Sequence, residues 1–244
     1  MELTYWQAYH DMGLDEEARR RLATLGDFIL GAGFNVTGIR EPEEIERVHF
    51  LDSLSLLKIG CVASAERIAD VGSGGGLPAM VLALALPHAI VTAVESQGKK
   101  CKHIEHAAEA SGLLNVRVCC KRAEDHGRVD GRGSYDVVVS RAVASLPVLA
   151  EYSVPLLRVG GSMVAMKGVV SDQERTQAVA ALGILGAGEL EMVRLDPFTG
   201  SRERSVYLAT KLEETPSAYP RRAGVPRKRP LGRVSEERRG EPAS

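Results

Sequence analysis

The sequence predicts an α/β protein with a doubly wound parallel sheet, an antiparallel last strand and a helical N-terminal cap. From residue 66 onward, short apolar segments alternate with helical patterns, which is typical of strand–helix–strand units. The apolar segments are nearly continuous Val, Ile and Ala, as expected for strands buried on both faces. The last two, at 189–195 and 204–210, are too close for a crossover helix, so we expect them to pair antiparallel.

The cap is predicted to comprise residues 1–60. Leu22, Leu25 and Ile29 recur at helix spacing, and a glycine-rich segment then ends that helix. A second helix is expected to begin at Pro42, because proline suits the first helical turn and three glutamates follow where the helix dipole favours acids.

Residues 61–214 are predicted to form one ligand-binding domain. Its five parallel strands are expected at 67–71, 89–95, 115–120, 135–140 and 161–167. Helices are expected at 77–86, 98–111, 145–157 and 172–183.

The charge of the chain is unevenly distributed. The formal net charge is −1, but residues 221–244 hold eight basic residues and three glutamates. We predict that 215–244 is a basic, flexible tail outside the fold. Such a tail suits an anionic partner, RNA first among them, although a merely solubilising end fits the same composition.

The composition gives no indication of a membrane or secreted protein. The longest apolar stretch, 77–94, is interrupted by Pro78, Pro87 and His88, and the N-terminus lacks a signal-peptide pattern. The four cysteines show no disulfide-scaffold spacing, and Cys119 and Cys120 are interpreted as buried thiols on opposite faces of a strand. A cytoplasmic location is therefore expected.

The most informative motif is a glycine loop between the first strand and the first helix of the domain. It reads Asp70-Val-Gly-Ser-Gly-Gly-Gly-Leu-Pro-Ala, with Gly72, Gly74 and Gly76 placed so that the backbone can approach a ligand closely. Ligands of such sheets bind at the carboxyl ends of the strands, so the loop predicts a nucleotide-like cofactor.

Two cofactors compete for this loop. The spacing Gly74-x-Gly76-x-x-Ala79 matches a relaxed dinucleotide fingerprint. However, Asp70 would repel a pyrophosphate, and Pro78 removes an amide donor that an anion would need. The sulfonium and ammonium groups of S-adenosylmethionine suit a carboxylate better, so that cofactor is favoured over NAD. Glu95, at the end of the next strand, is predicted to accept both ribose hydroxyls, which would serve either cofactor.

Several segments resemble one family, the bacterial 16S rRNA guanine-N7 methyltransferases, also called glucose-inhibited division protein B. They are FNVTGIREPEEIERVHFLDSL, DVGSGGGLPA, VESQGKK, KRAED, VVSRAVASL, MKG and YPRRAGVPRKRPL, which together extend from about residue 34 to 231. HFLDSL and SRAVASL are the most specific. The sequence departs from the family pattern at Gly75, where a proline is usual, and in ILGAGFNVT, where a tryptophan-bearing segment is usual.

The resemblance implies a class I methyltransferase that transfers methyl from S-adenosylmethionine to N7 of a guanosine in the decoding-region loop of 16S rRNA. It implies cofactor contacts at Gly72, Leu77, Ala123, Glu124 and Arg141. The partner would be 16S rRNA or a precursor of the small subunit, with no obligate protein partner.

The chemistry needs no general base, because guanine N7 carries a free lone pair. Proximity and alignment are expected to lower the barrier. Arg141 and Lys167, at the ends of two strands, are predicted to position the substrate. His49 and Asp52 could face the substrate or link the cap to the core, and the structural role is slightly favoured. No metal site is predicted, since His103 and His106 lack a third ligand.

Other functions stay open at this point. A class I methyltransferase with another substrate, a nicotinamide-dependent oxidoreductase and a non-catalytic RNA-binding module are the alternatives. The aromatic content of 5% argues against base stacking as the main mode of RNA binding. We expect phosphate contacts instead, from the tail and from Arg40, Arg47, Arg202 and Arg204.

Overall fold

The computed structural model describes residues 1–33, 38–197 and 204–232. Its centre is a seven-stranded sheet. The strands are β1 Arg67–Val71, β2 Ile90–Val94, β3 Val116–Cys119, β4 Tyr135–Arg141, β5 Leu157–Lys167, β6 Glu191–Leu195 and β7 Arg204–Thr210.

The strand order is β3-β2-β1-β4-β5-β7-β6. β1 to β5 are parallel, whereas β7 is antiparallel to both β5 and β6. The predicted doubly wound sheet with an antiparallel final strand is therefore confirmed. In this order β1 and β4 are parallel neighbours. The chain adds β2 and β3 on one side of β1 and then crosses over to add β4 on the other side, and ligands bind at such a switch point.

Helices cover the sheet on both faces. The cap contains α1 Trp6–Asp11, α2 Glu16–Leu30, α3 Pro42–Ile45, α4 Asp52–Leu54 and α5 Gly60–Ala63. A π-helical turn, Glu46–Leu51, joins α3 to α4, and a 3-10 turn, Ser55–Lys58, follows. The remaining helices are α6 Ala79–Ala85, α7 Gly98–Ala110, α8 Ala123–Arg128, α9 Leu146–Ser153, α10 Asp172–Leu185 and α11 Val225–Lys228.

Two hydrophobic cores lie on opposite faces of the sheet. Successive residues of β1 point to opposite sides, so Ile68 belongs to one core and Ala69 to the other. The first core includes cap residues such as Phe50 together with Met80 of α6, so the cap is packed against the helix that follows the glycine loop. The second contains Leu149 of α9 and residues of α10.

The predicted helix at 145–157 is shorter in the structure. α9 ends at Ser153, a 3-10 turn covers Val154–Leu156, and β5 begins at Leu157. The short helix α8 was not predicted, because its sequence AEDHGR carries no apolar periodicity. None of the helices in the described ranges has the length and apolarity needed to cross a membrane.

Two predictions about the ends of the fold and its cysteines are wrong. The chain does not leave the fold near Thr215: residues 215–232 pack on the domain, and Thr215 itself is buried. Cys120 is not a buried thiol but forms a disulfide with Cys101 of α7, while Cys61 and Cys119 are free. Sequence spacing could not reveal the disulfide, because β3 brings Cys120 beside α7 only in the folded sheet.

Candidate active site

A cavity of about 780 Å³ opens at the carboxyl edge of the sheet. Its walls come from the cap, the glycine loop, the loop after β4 and the facing ends of β5 and β7. This volume is typical of small-molecule sites. Five predicted site residues line it: Gly72, Gly74, Leu77, Arg141 and Lys167.

The glycine loop forms one wall of the cavity. Gly72 and Gly74 have φ values of 75° and 59°, a left-handed conformation that residues with a side chain rarely adopt. A Cβ on Gly72 would lie 2.7 Å from Cγ2 of Val143, so the loop after β4 occupies the space that glycine leaves. Gly76 instead packs against Met80 beneath the loop.

Asp70 lies beneath the glycine loop and outside the cavity lining. Its side chain is buried, and Oδ2 accepts a hydrogen bond from the amide of Ala79 at 3.2 Å, at the start of α6. Oδ1 has no hydrogen-bond partner among the described residues. Burial raises the pKa of Asp70 to about 6. The carboxylate therefore holds the turn, and its predicted attraction for a cationic donor stays a proposal.

Glu95 follows β2 and is nearly buried. Its Oε2 accepts from the amide of Gly74 at 3.0 Å, and Oε1 accepts from the amides of Ser96 and Gln97 at 2.7 and 2.8 Å. A carboxylate offers about four lone pairs, so these three bonds leave capacity for one hydroxyl. Binding both ribose hydroxyls, as the sequence predicts, would require one amide to move.

Ala123 and Glu124 begin α8, near the carboxyl end of β3 and away from the cavity lining. Glu124 is buried, and its Oε1 accepts a hydrogen bond from the amide of Gly224 at 2.9 Å. These two residues and Glu95 lie on the β2–β3 side of the sheet, whereas Arg141 lies on the β4–β5 side. An elongated ligand that lies across the carboxyl end of β1 would reach the residues on both sides.

A buried carboxylate connects the cap to two arginines at the cavity. Asp52 Oδ1 accepts from Nε of Arg204 at 2.9 Å, and its Oδ2 lies 3.7 Å from Nη1 of Arg141. Arg141 also donates to the carbonyl of Val48 at 3.1 Å. All four residues line the cavity. The predicted linking role of Asp52 is thus present, and the same contacts place two guanidinium groups at the cavity.

His49 lies one helical turn before Asp52 and also lines the cavity. Burial, followed by the positive charge of Arg141, lowers the pKa of His49 to about 3. The imidazole is therefore neutral at physiological pH.

Lys167 stabilises the wall after β4. Its Nζ donates to Oε1 of Glu174 at 2.6 Å and to the carbonyl of Ala144 at 3.0 Å. The same Glu174 oxygen accepts from the amide of Leu146 at 2.7 Å. Lys167 therefore fixes the loop 142–146 from within, and direct positioning of substrate stays a proposal.

One feature of this site was not predicted. Ala142, at the start of the loop after β4, has φ 53°, which is strained for a residue with a Cβ. The segment SRAVASL marked the loop, but nothing in the sequence signals positive φ at an alanine. The basic residues Arg202, Arg233, Arg238 and Arg239 and the segment 34–37 lie outside the described residues.

The sheet order and the glycine loop define the fold of the class I methyltransferases. Among solved structures, an S-adenosylmethionine-dependent O-methyltransferase from Thermotoga maritima is similar, with a TM-score of 0.52 and 20% identity, covering 78% of this chain and 72% of that chain. At this identity the likeness concerns the fold alone.

Sequence comparison identifies the family. The family described as "GidB: rRNA small subunit methyltransferase G" matches residues 27–202. The chain is 46% identical over 222 residues to the ribosomal RNA small subunit methyltransferase G of Rubrobacter xylanophilus, covering 88% of this chain and 85% of that protein. It is 41% identical over 232 residues to the protein of that name from Deinococcus radiodurans, covering 91% and 89%. The chain belongs to the rRNA small subunit methyltransferase G family.

The residues of the site fit S-adenosylmethionine. A cavity wall without side chains at Gly72 and Gly74 lets a ligand approach the backbone closely. The carboxylate of Asp70, whose Oδ1 has no hydrogen-bond partner among the described residues, would suit a sulfonium better than a phosphate near this loop. Arg141 lines the cavity and would be available to hold the carboxylate of the methionine part.

Proposed function

We propose that this protein transfers a methyl group from S-adenosylmethionine to N7 of a guanosine in 16S rRNA. The observation that supports this most is that one cavity has both parts that the reaction needs. The glycine loop forms a wall for the cofactor, and Arg141 and Arg204, both held by Asp52, are available for an anionic substrate. The family membership supports rRNA as the acceptor.

The residues of the cavity suit a reaction without proton abstraction. When bound, the cofactor supplies an electrophilic methyl group. His49 is neutral but buried beside Arg141, and the reaction requires no base, since the N7 lone pair is available. The task of the chain is to hold guanine in line and to exclude water, which accounts for a large share of catalysis in such reactions. Arg141 or Arg204 can donate to guanine O6 or to a flanking phosphate.

The RNA would approach from a cationic side of the molecule. Arg40 and Arg47 of the cap are exposed, and Arg204 lies at the cavity. The docked C-terminal segment adds exposed Arg222, Arg227, Lys228 and Arg229. We propose that these groups contact phosphates, that the protein acts in the cytoplasm, and that it needs no obligate protein partner.

The direct test is transfer of a tritiated methyl group to small-subunit rRNA that lacks the modification, offered free and within 30S particles. We expect label at N7 of one guanosine, located by cleavage of the RNA at the methylated base. Label at another position or in no RNA would contradict the proposal.

A binding test separates this function from an oxidoreductase. S-adenosylhomocysteine should raise the melting temperature of the protein, whereas NAD should not, because only the former lacks phosphates. A shift with NAD alone would favour the oxidoreductase.

A further inference from the structure

The C-terminal segment 216–232 contacts both sides of the proposed cofactor site. The amide of Gly224 donates to the buried carboxylate of Glu124 at 2.9 Å. Arg227 Nη2 donates to the carbonyl of Val143 at 2.9 Å. Val143 lines the cavity and packs on Gly72, while Glu124 begins α8 after β3. One short segment therefore connects the β3 side of the site to the β4 side.

The segment is anchored to the domain by an ion pair whose carboxylate is fully buried. Glu151 of α9 is fully buried, and Arg221 reaches it with Nε at 2.8 Å and Nη2 at 2.5 Å. The amide of Arg221 also donates to Oε1 of Glu151 at 2.8 Å. Undocking would leave the buried carboxylate of Glu151 without its partner, which is costly.

Further contacts extend the anchoring along the segment. Arg132 donates to the carbonyls of Thr215 and Tyr219, the latter at 2.7 Å. Pro226 is buried, and Leu231 packs against the core that contains α9 and α10. The position of the segment is thus set over its whole described length.

We infer that the docked segment is a positioning element of the cofactor site, which it stabilises through Glu124 and the Val143 loop. This inference rests on the proposed function, since it takes S-adenosylmethionine as the ligand. Coupling between two sites is reciprocal, so a segment that favours cofactor binding must itself be held more firmly when cofactor is bound.

The first test uses the full-length protein and trypsin, which cleaves after Arg222 and Lys228 when the segment undocks. Saturating S-adenosylhomocysteine should slow cleavage at these two bonds about fivefold or more, followed by mass spectrometry, because cleavage tracks the open population. NAD at the same concentration is the control ligand and should leave the rate unchanged. Equal rates with and without S-adenosylhomocysteine would overturn the inference.

The second test compares two single substitutions that each remove one exposed arginine. Arg227→Ala loses the bond to Val143 and should weaken S-adenosylhomocysteine binding, measured by calorimetry, roughly threefold to tenfold. Arg222→Ala removes the same charge without that contact and should stay within about twofold of the parent. Equal affinities for the two variants would contradict the inference.

Failure of the proposed function and failure of the positioning role give different results. If the unmodified protein does not bind S-adenosylhomocysteine, the proposed function fails. If it binds but neither cleavage nor the Arg227→Ala affinity responds, the function stands and the segment is not a positioning element.

Discussion

At the scale of single residues, Gly72 is a position of the site where a side chain is excluded. Gly72 combines φ 75° with a neighbour, Val143, that would meet a Cβ at 2.7 Å. Both the backbone conformation and the packing across the cavity therefore require glycine.

Gly72→Ala should lower the affinity for S-adenosylhomocysteine by roughly tenfold or more. A left-handed alanine costs about 1–2 kcal/mol and also displaces Val143, so the loop is expected to leave the conformation that the cofactor would meet. Calorimetry measures the effect, with Gly98→Ala as control, because nothing lies near a Cβ there. An unchanged affinity would show that the loop after β4 moves freely.

Asp70 gives a pH dependence of known sign. Its native pKa of about 6 lies above the usual 3.8, so burial of the charged form destabilises the fold. Stability associated with this group is fully present below pH 3.8 and is lost as the pH rises through 6. Two units of pKa correspond to about 3 kcal/mol.

The free energy of unfolding of Asp70→Asn, relative to that of the parent, should therefore be higher at pH 7.5 than at pH 4.5. Urea unfolding at both pH values measures this difference, and exposed Asp125→Asn serves as the control. A difference that does not change with pH, or that has the opposite sign, would disprove the proposed cost of the buried charge.

At the scale of elements, Asp52 joins three parts of the chain. It belongs to α4 of the cap, and its partners lie at the end of β4 and the start of β7, Arg204 being 152 residues away. Burial raises the pKa of Asp52 although both arginines oppose the shift. The carboxylate sets the direction of two guanidinium groups that the substrate is proposed to meet.

Asp52→Asn should reduce kcat/KM for rRNA methylation roughly tenfold to a hundredfold, since charge-assisted hydrogen bonds are worth about 1.5–3 kcal/mol. Arg204→Lys should retain part of the activity, because the positive charge stays. Steady-state kinetics on unmodified rRNA measures both, with exposed Glu109→Gln as control. Parent-like kinetics for Asp52→Asn would assign Asp52 to cap packing alone.

The strands and the glycine loop could be predicted because their signals are local. RIADV coincides with β1, and the glycines follow it directly. The contacts of Asp52, Glu124 and Cys101 could not be predicted, because each contact joins segments that meet only after folding. The docking of 216–232 was missed for another reason: its composition of Pro, Arg and Gly is typical of a flexible end, and its anchors, Glu151 and Arg132, lie elsewhere in the sequence.

At the scale of the whole molecule, an acidic body presents a local cationic surface. Residues 221–232 contain five basic residues and no acidic one, whereas 233–244 contain three of each. The excess charge therefore lies in the docked segment, beside the cavity wall at Val143. This arrangement favours phosphate contacts close to the site of reaction.

RNA binding should weaken strongly as salt concentration rises. The double substitution Arg222→Ala with Lys228→Ala should reduce the slope of log affinity against log salt by about 1.4, at roughly 0.7 per phosphate contact. Filter binding to unmodified rRNA at several salt concentrations measures the slope. Arg238→Ala with Arg239→Ala is the matched control of equal charge, and an equal loss of slope there would move the contact surface away from the docked segment.

The contact between Gly72 and Val143 has a genetic consequence. The glycine loop and the loop after β4 meet at this contact, and one added methyl group would fill the space between them. A defect caused by a larger residue at Gly72 can therefore be relieved by a smaller residue at Val143. Val143→Ala should act as a partial suppressor of Gly72→Ala, restoring the space while the backbone cost of a left-handed alanine persists.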